Sequence, residues 1–307
     1  MPKFNDKPDG IYPDMPMDEY LGLPRLSASG CHTLVTRCPA AFHYEQTADD
    51  SDSSAVTEIG KAAHILALEP HRWAEKVALI DFDDWRKKAA QEAREQALAN
   101  DMIPLNNPQA ETVLGMHEAL KAEIGDQLAG GQVERTLLWT LKAFGVGMRS
   151  RPDWTAADDR RIVDYKTTGN AAARSFRSRV LDNGHHIQAA MCIEAHGLLT
   201  GRRADWWWLV QETEAPYLPA IYRPTEPWLA VGRELFHEAA ETFARCCASG
   251  QWPGYLAGRP EDLEPPGWMV NEHMARTEAR HARAVNDRAA NANRDLLKVA
   301  ADMQRPL

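Results

Sequence analysis

The sequence predicts an α/β core preceded by a helical N-terminal elaboration and followed by a C-terminal helix. Two observations predict it. Apolar residues repeat with helical spacing as far as Gly130-Gly131, and from Val133 the repeat shortens to two, the period of strands. After that point come four strand-like runs, two helices, two more strands and a long helix, which is the order of a layered α/β domain. With 307 residues, 44% hydrophobic and 26% charged, the chain is long and apolar enough to bury a core, which excludes a disordered protein.

Each element follows from local chemistry. Five prolines in the first 26 residues make 1–26 read as an extended leader. Ser27 or Ser29 then N-caps a short helix reaching Cys38-Pro39, and the polar acidic loop TADDSDSS follows. Helices are predicted at 57–68, 81–100 and 109–127, with breaks at Pro70 and Pro104. VERTLLWTL, AFGVGMRSR, PDWTA and RIVDYKTT read as a four-strand meander. Helices at 171–181 and 185–199, strands DWWWLVQE and YLPAIYRP, and an amphipathic helix at 227–248 complete the core. Residues 27–256 thus read as one domain, mostly helical over 27–129 and α/β over 130–256. A Pro/Gly-rich linker and a charged, Ala-rich helix at 271–303 occupy 257–307.

Charge narrows the function. The formal net charge of -9 disfavours a protein that coats nucleic acid, because neutralising phosphates needs surplus Lys and Arg. The charge is uneven, however. Residues 1–60 carry four basic against ten acidic residues, whereas 142–186 carry nine basic against five acidic, a basic island in an acidic chain. Five cysteines without a CxxC pair suggest neither a disulfide framework nor a zinc ribbon. The N-terminus lacks an apolar h-region and no run of 18 apolar residues occurs, so the expectation is a cytoplasmic protein with no membrane partner.

Inside the island, Arg151-Pro152-Asp153 is followed after ten residues by Asp164-Tyr165-Lys166. Carboxylates at the ends of adjacent strands of a hairpin can converge on one hard cation, and alternation puts Asp164 and Lys166 on one sheet face. Such a set suits metal-assisted phosphodiester hydrolysis, with the lysine orienting a water or stabilising developing charge. A D-x-K tripeptide alone is common by chance and would be a solvated surface pair. The rest of the pattern gives it weight.

RPDW and IVDYKTT, with ten residues between Asp153 and Asp164, together resemble the PD-(D/E)XK nuclease superfamily, and within it the phage and prophage exonuclease VIII (RecE-like) family. The resemblance extends to Gly60-Lys-Ala-Ala-His64, to Glu134 in QVERTLLW, to Gln188 in HHIQAAMCIEA, and to the flanking LSASG, CPAAFHY and ASGQWPGY. It runs from about Tyr20 to Tyr255, in the family's order. It implies a restriction-endonuclease-like core with a mixed central sheet flanked by helices. It implies Mg²⁺, with Mn²⁺ able to substitute, held by His64, Asp153, Asp164 and the Tyr165 carbonyl, with Glu134 for a second cation or a water. Lys166 would stand beside the nucleophilic water, and Gln188 would hydrogen-bond Asp164, Lys166 or substrate. One departure stands out: the family's Q-x-x-x-Y is here Gln188 to Cys192, which leaves the phenol contact to another residue, with Tyr165 the candidate. Cys38 has a setting known from iron–sulfur relatives, but Cys246-Cys247 lack the three-cysteine spacing, so no cluster is expected.

The resemblance further implies an exonuclease that degrades linear duplex DNA from the 5′ end in a bacterial host cell. It would leave 3′ tails for a single-strand annealing partner and act as a ring-shaped homo-oligomer. The basic island supplies candidate phosphate contacts in Arg149, Arg151, Arg174, Arg177, Arg179 and His185. Trp206 and Trp208 alternate onto one face and read as core. The C-terminal helix, with seven basic against five acidic residues after Val270, serves either assembly or DNA contact. A repair or defence endonuclease with the same centre, and a non-enzymatic DNA-binding scaffold, are the alternatives.

Overall fold

The leader is not merely extended. In the computed structural model, which describes residues 6–46, 55–256, 260 and 262–303, it holds a strand, β1 (Gly10–Tyr12), and a helix, α1 (Met17–Gly22). Its prolines fall between these elements, so they punctuate the segment without preventing structure. Two buried arginines fasten it: Arg25 pairs with Asp6 and Asp9 at 2.6 and 2.9 Å, and Arg149 donates to the carbonyls of Tyr20, Leu21 and Leu23. The first five residues and the TADDSDSS loop lie outside the described residues.

Helix α2 (Ala28–Thr36) begins where expected, with Ser27 Oγ accepting from the Gly30 amide at 3.2 Å, and Pro39 opens α3 (Pro39–Glu45). Helix α4 (Ala55–Leu68) ends before Pro70, and a 3-10 turn leads into α5 (Trp73–Lys76). The helix predicted from residue 81 starts only at Lys88, as α6 (Lys88–Ala99). The preceding chain is drawn instead into a parallel ribbon of β2 (Val77–Leu79) and β3 (Ile103–Leu105), extended by the Ile80 amide on the Leu105 carbonyl at 2.8 Å. Helix α7 (Asn107–Ile124) follows from an Asn106/Gln109 capping box with a proline in its first turn.

The predicted meander divides between two sheets. Strands β5 (Thr136–Leu141) and β6 (Val146–Ser150) pair with each other, and β5 also pairs with β1. Strands β4 (Gln132–Val133), β7 (Trp154–Thr155), β8 (Arg161–Thr168), β9 (Asp205–Glu212) and β10 (Pro219–Tyr222) form the second sheet, in the order β10-β9-β8-β7-β4. One long hairpin therefore passes through both sheets and bends between them. At the bend Glu134 takes a left-handed φ of 48°, and its amide still reaches the Asp153 carbonyl at 3.0 Å. The second sheet is mixed, since β8 and β9 run parallel over all eight residues while its other pairs are antiparallel.

Two cores cover the two faces of that sheet. Ile162, Trp206, Trp208 and Val210 pack with α8 (Ala173–Asp182), α9 (His185–Thr200) and α10 (Glu226–Ser249); Val163, Tyr165 and Leu209 pack with α4 and α7. Alternation along β8 and β9 sends successive residues to opposite cores. Helices α9 and α10 meet almost backbone to backbone, for a Cβ on Gly232 would lie 2.3 Å from the His186 carbonyl oxygen. The chain divides into Met1–Tyr255 and Leu256–Leu307, and the second unit holds helix α11 (Gly267–Met303). Among the described residues no helix is long and apolar enough to cross a membrane.

Candidate active site

The strand register brings the predicted acids together. Trp154 lies opposite both Val133 and Val163, so the next residues along, Glu134, Asp153 and Asp164, form a row across β4, β7 and β8 at the bend. Lys166 stands two residues further along β8 on the face of Asp164. Its Nζ lies 2.8 Å from Asp164 Oδ1, and Gln188, one turn into α9, donates its amide to the same oxygen at 2.8 Å. Asp153 Oδ2 accepts the Tyr165 backbone N–H at 2.7 Å, occupying a ladder position that the two-residue strand β7 leaves open. Asp153 Oδ1 lies 3.5 Å from His64 Nε2.

His64 reaches the site because α4 approaches β8 closely. A Cβ on Gly60 would lie 3.0 Å from Thr167 Oγ1, so glycine sets that spacing and the next turn brings the imidazole to Asp153. This is the physical content of the Gly-x-x-x-His spacing.

Electrostatics separate the two aspartates. Burial works against ionised Asp153, yet Lys166, His64 and the Tyr165 amide hold its carboxyl below the usual range. Burial pushes Asp164 up to about 6, with Lys166 opposing the rise and Asp153 adding to it. His64 and Lys166 are both raised despite burial, His64 chiefly through Asp153 and Lys166 through Asp164 and Asp153. Asp164 Oδ2 is buried with no hydrogen-bond partner, a costly arrangement for a carboxylate unless something else meets it. Among the described residues no three His, Cys, Asp or Glu side chains form a ready-made metal cluster. The donors nevertheless suit a hard divalent cation, being carboxylate oxygens beside one imidazole and including that unmatched oxygen.

Several predicted contacts need correction. Arg149 is buried and spends its guanidinium on leader carbonyls, so it is not available to DNA. Arg151 is bonded to Thr136 Oγ1 and the Met15 carbonyl and stacks on Tyr20, 4.4 Å from the ring centroid, and it too fastens the leader. Burial pushes His185 down to about 3, with Lys166 adding to the effect, so near neutral pH it is uncharged and can offer a phosphate only a hydrogen bond. The Tyr165 phenol does not replace the missing Q-x-x-x-Y tyrosine. It points into the opposite core and donates to Gln211 Oε1 at 2.6 Å, because the residue between two same-face site residues must face away. Arg174, Arg177 and Arg179 are exposed on α8, whose other side buries Phe176 and Val180. Trp206 and Trp208 are buried in the core.

The sequence reading assigned no role to a cleft of about 260 Å³ beside Gln188, lined by Tyr20, Ser27, Ser29, Arg151, Asn183 and His185 among others. In the sequence its signal is the LSASG run, whose Ser27, Ala28 and Ser29 line it. A larger cavity of about 560 Å³ lies under α7, walled by Leu66, Leu120, Ile124 and Trp154, and none of Glu134, Asp153, Asp164, Lys166 and His64 lines it.

A conserved-domain profile described as a PDDEXK-like domain of unknown function (DUF3799) matches residues 27–263, most of the chain. The chain belongs to this PDDEXK-like family. A crystal structure of a "Putative exonuclease" from Eubacterium rectale shares the fold, with a TM-score of 0.54, 12% sequence identity, and coverage of 80% of this chain and 92% of that one. No curated protein matches at a significant level. The α/β architecture with its mixed sheet is thus that of a PDDEXK-like nuclease fold.

Proposed function

We propose that this PDDEXK-like protein is a divalent-metal-dependent deoxyribonuclease that hydrolyses linear duplex DNA from its ends, from 5′ to 3′, and leaves 3′ tails for an annealing partner. The observation that carries the hydrolytic reading is the row Glu134–Asp153–Asp164 with Lys166 beside it, three acids on adjacent strands closed by one amine. A structural sheet gains nothing from three acids side by side, whereas a phosphodiester-cleaving centre needs them.

A Mg²⁺ or Mn²⁺ ion held by Asp153, Asp164, the Tyr165 carbonyl and His64, with Glu134 alongside, would polarise the phosphate and acidify a bound water. The protein's own groups do the rest. Gln188 and Lys166 fix Asp164 through one oxygen and leave the other without a hydrogen-bond partner, free to meet a cation. The Tyr165 amide and His64 fix Asp153. Lys166, held protonated by both carboxylates, stabilises charge developing on the phosphate. The exposed arginines of α8 follow directly on the catalytic strand and supply phosphate contacts.

The test is a time course on end-labelled linear duplex and on covalently closed circles, with Mg²⁺ and with EDTA. Mononucleotide release from the 5′-labelled end of linear DNA alone is the expected result. Equal cleavage of both substrates would replace the exonuclease with an endonuclease, and cleavage in EDTA would remove the metal.

A further inference from the structure

Tyr20, on the leader helix α1, is held more firmly than a leader residue needs to be. Arg149 and Arg151 stack on its ring, 4.9 and 4.4 Å from the centroid, and its carbonyl accepts from Arg149. These contacts occupy the ring and the backbone. The hydroxyl has no hydrogen-bond partner among the described residues.

Tyr20 is also a wall of the cleft of about 260 Å³ beside Gln188. Ser27, Ser29, Arg151, His185 and Gln188 line that cleft too, all with a group that can donate a hydrogen bond. Among the described residues no carboxylate lines it, and Arg151 brings a charge bonded only to a hydroxyl, a carbonyl and a thioether. Donors around an unpaired cation suit an anion rich in acceptor oxygens. Gln188 joins the cleft to the acids, because its amide donates to Asp164 Oδ1 at 2.8 Å. An anion seated there lies one side chain from the centre, as the neighbour of a scissile phosphate must.

The phenol is in the right state to take part. Burial raises it above its ordinary value, with Arg149 and Arg151 opposing and the Cys192 thiol adding, so near neutral pH it keeps its proton and can donate. Cys192 lies four residues beyond Gln188, on the same face of α9. Where α9 itself offers a thiol, the leader brings a phenol. Tyr20 precedes the residues 27–263 that the domain profile matches, so this group comes from outside the shared domain.

We propose that Tyr20 is a substrate-contacting residue, whose phenol donates a hydrogen bond to an oxygen of the DNA phosphate next to the scissile one. The proposal rests on the deoxyribonuclease reading above and adds a role for the leader, which thereby completes the DNA-binding cleft.

The test is Tyr20→Phe in the full chain, which keeps the ring for both arginines and removes only the hydroxyl. Affinity for a short fluorescent duplex is read by anisotropy in EDTA, and its cleavage is followed with Mg²⁺. Loss of a hydrogen bond to a charged oxygen should weaken binding at least about tenfold. The Tm should stay at the wild-type value, because the stacking remains. Duplexes that each carry one neutral methylphosphonate near the end locate the partner. At one position the methylphosphonate should weaken wild type strongly and Tyr20→Phe little, since the two changes remove the same bond. A loosened leader would instead weaken binding alike at every position. Tyr20→Phe binding as tightly as wild type, or methylphosphonates that weaken both proteins equally throughout, would overturn the proposal and leave the nuclease reading in place. A wild-type protein that neither binds nor cuts the duplex would overturn both.

Discussion

Replacing Asp164 with asparagine should make the protein more stable while abolishing cleavage. Asp164 is fully buried, and that burial lifts its carboxyl to about 6, against a value near 4 in an unfolded chain. Between about pH 4 and about pH 6 the folded protein keeps a proton that the unfolded chain has released. Stability therefore falls as pH rises through that window, and the whole penalty is present above about pH 6. A displacement of roughly two pH units corresponds to about 3 kcal/mol. Asparagine has nearly the same shape, keeps an oxygen for Gln188, and is neutral at every pH. D164N should thus exceed wild type by up to about 3 kcal/mol at pH 8, or about 6 °C in Tm for a chain of this size, and match it near pH 4. Thermal unfolding in EDTA at both pH values, followed by circular dichroism, reads the difference. Saturating Mg²⁺ or Mn²⁺ should raise the wild-type Tm, by about 2.7 kcal/mol at a hundredfold excess over Kd, and leave D164N unchanged. A D164N protein less stable than wild type at pH 8 in EDTA would refute the reasoning, because Lys166 and Gln188 would then more than offset the cost of burying the charge.

Three further outcomes are expected. Lys166→Ala should lower cleavage of end-labelled duplex by about 100-fold or more while the chain remains folded, and a wild-type rate would remove the lysine from the mechanism. Arg177→Ala should weaken DNA binding and reduce the slope of log affinity against log salt by about 1. Arg149→Met, by contrast, should lower Tm through loss of the bonds to Tyr20, Leu21 and Leu23 and leave the salt slope of the remaining folded protein unchanged. Gly232→Ala should destabilise by about 1–3 kcal/mol in denaturant titrations, since its methyl meets the His186 carbonyl and the α9–α10 contact must open.

What the sequence determined by itself is local and periodic. Strand β9 matches its predicted run from Asp205 to Glu212, and the helices at Ser27 and near Gln109 begin within a few residues of their signals, whereas Pro39, read as the end of one helix, opens a second, α3. The spacing of Asp153, Asp164 and Lys166 was also legible, because alternation along one strand and proximity across one hairpin are short-range facts. Tertiary structure decided what depends on distant partners. Residues 81–87 carry helical periodicity but are not helical up to Lys88, and Asn107 at the start of α7 holds part of them, its amide donating to the Phe82 carbonyl and its side chain to Asp81 and Asp83. The leader's prolines were visible, whereas the buried arginines that fold it back, 114 and more residues away in the case of Arg25 to Trp139 and Arg149 to Tyr20, were not. Arg149 thus looked like a phosphate contact, since sequence records a charge but not whether carbonyls have already claimed it. The bend at Glu134, which lines up three acids across three strands, arises because one hairpin must serve two sheets, and no window of the sequence contains that constraint.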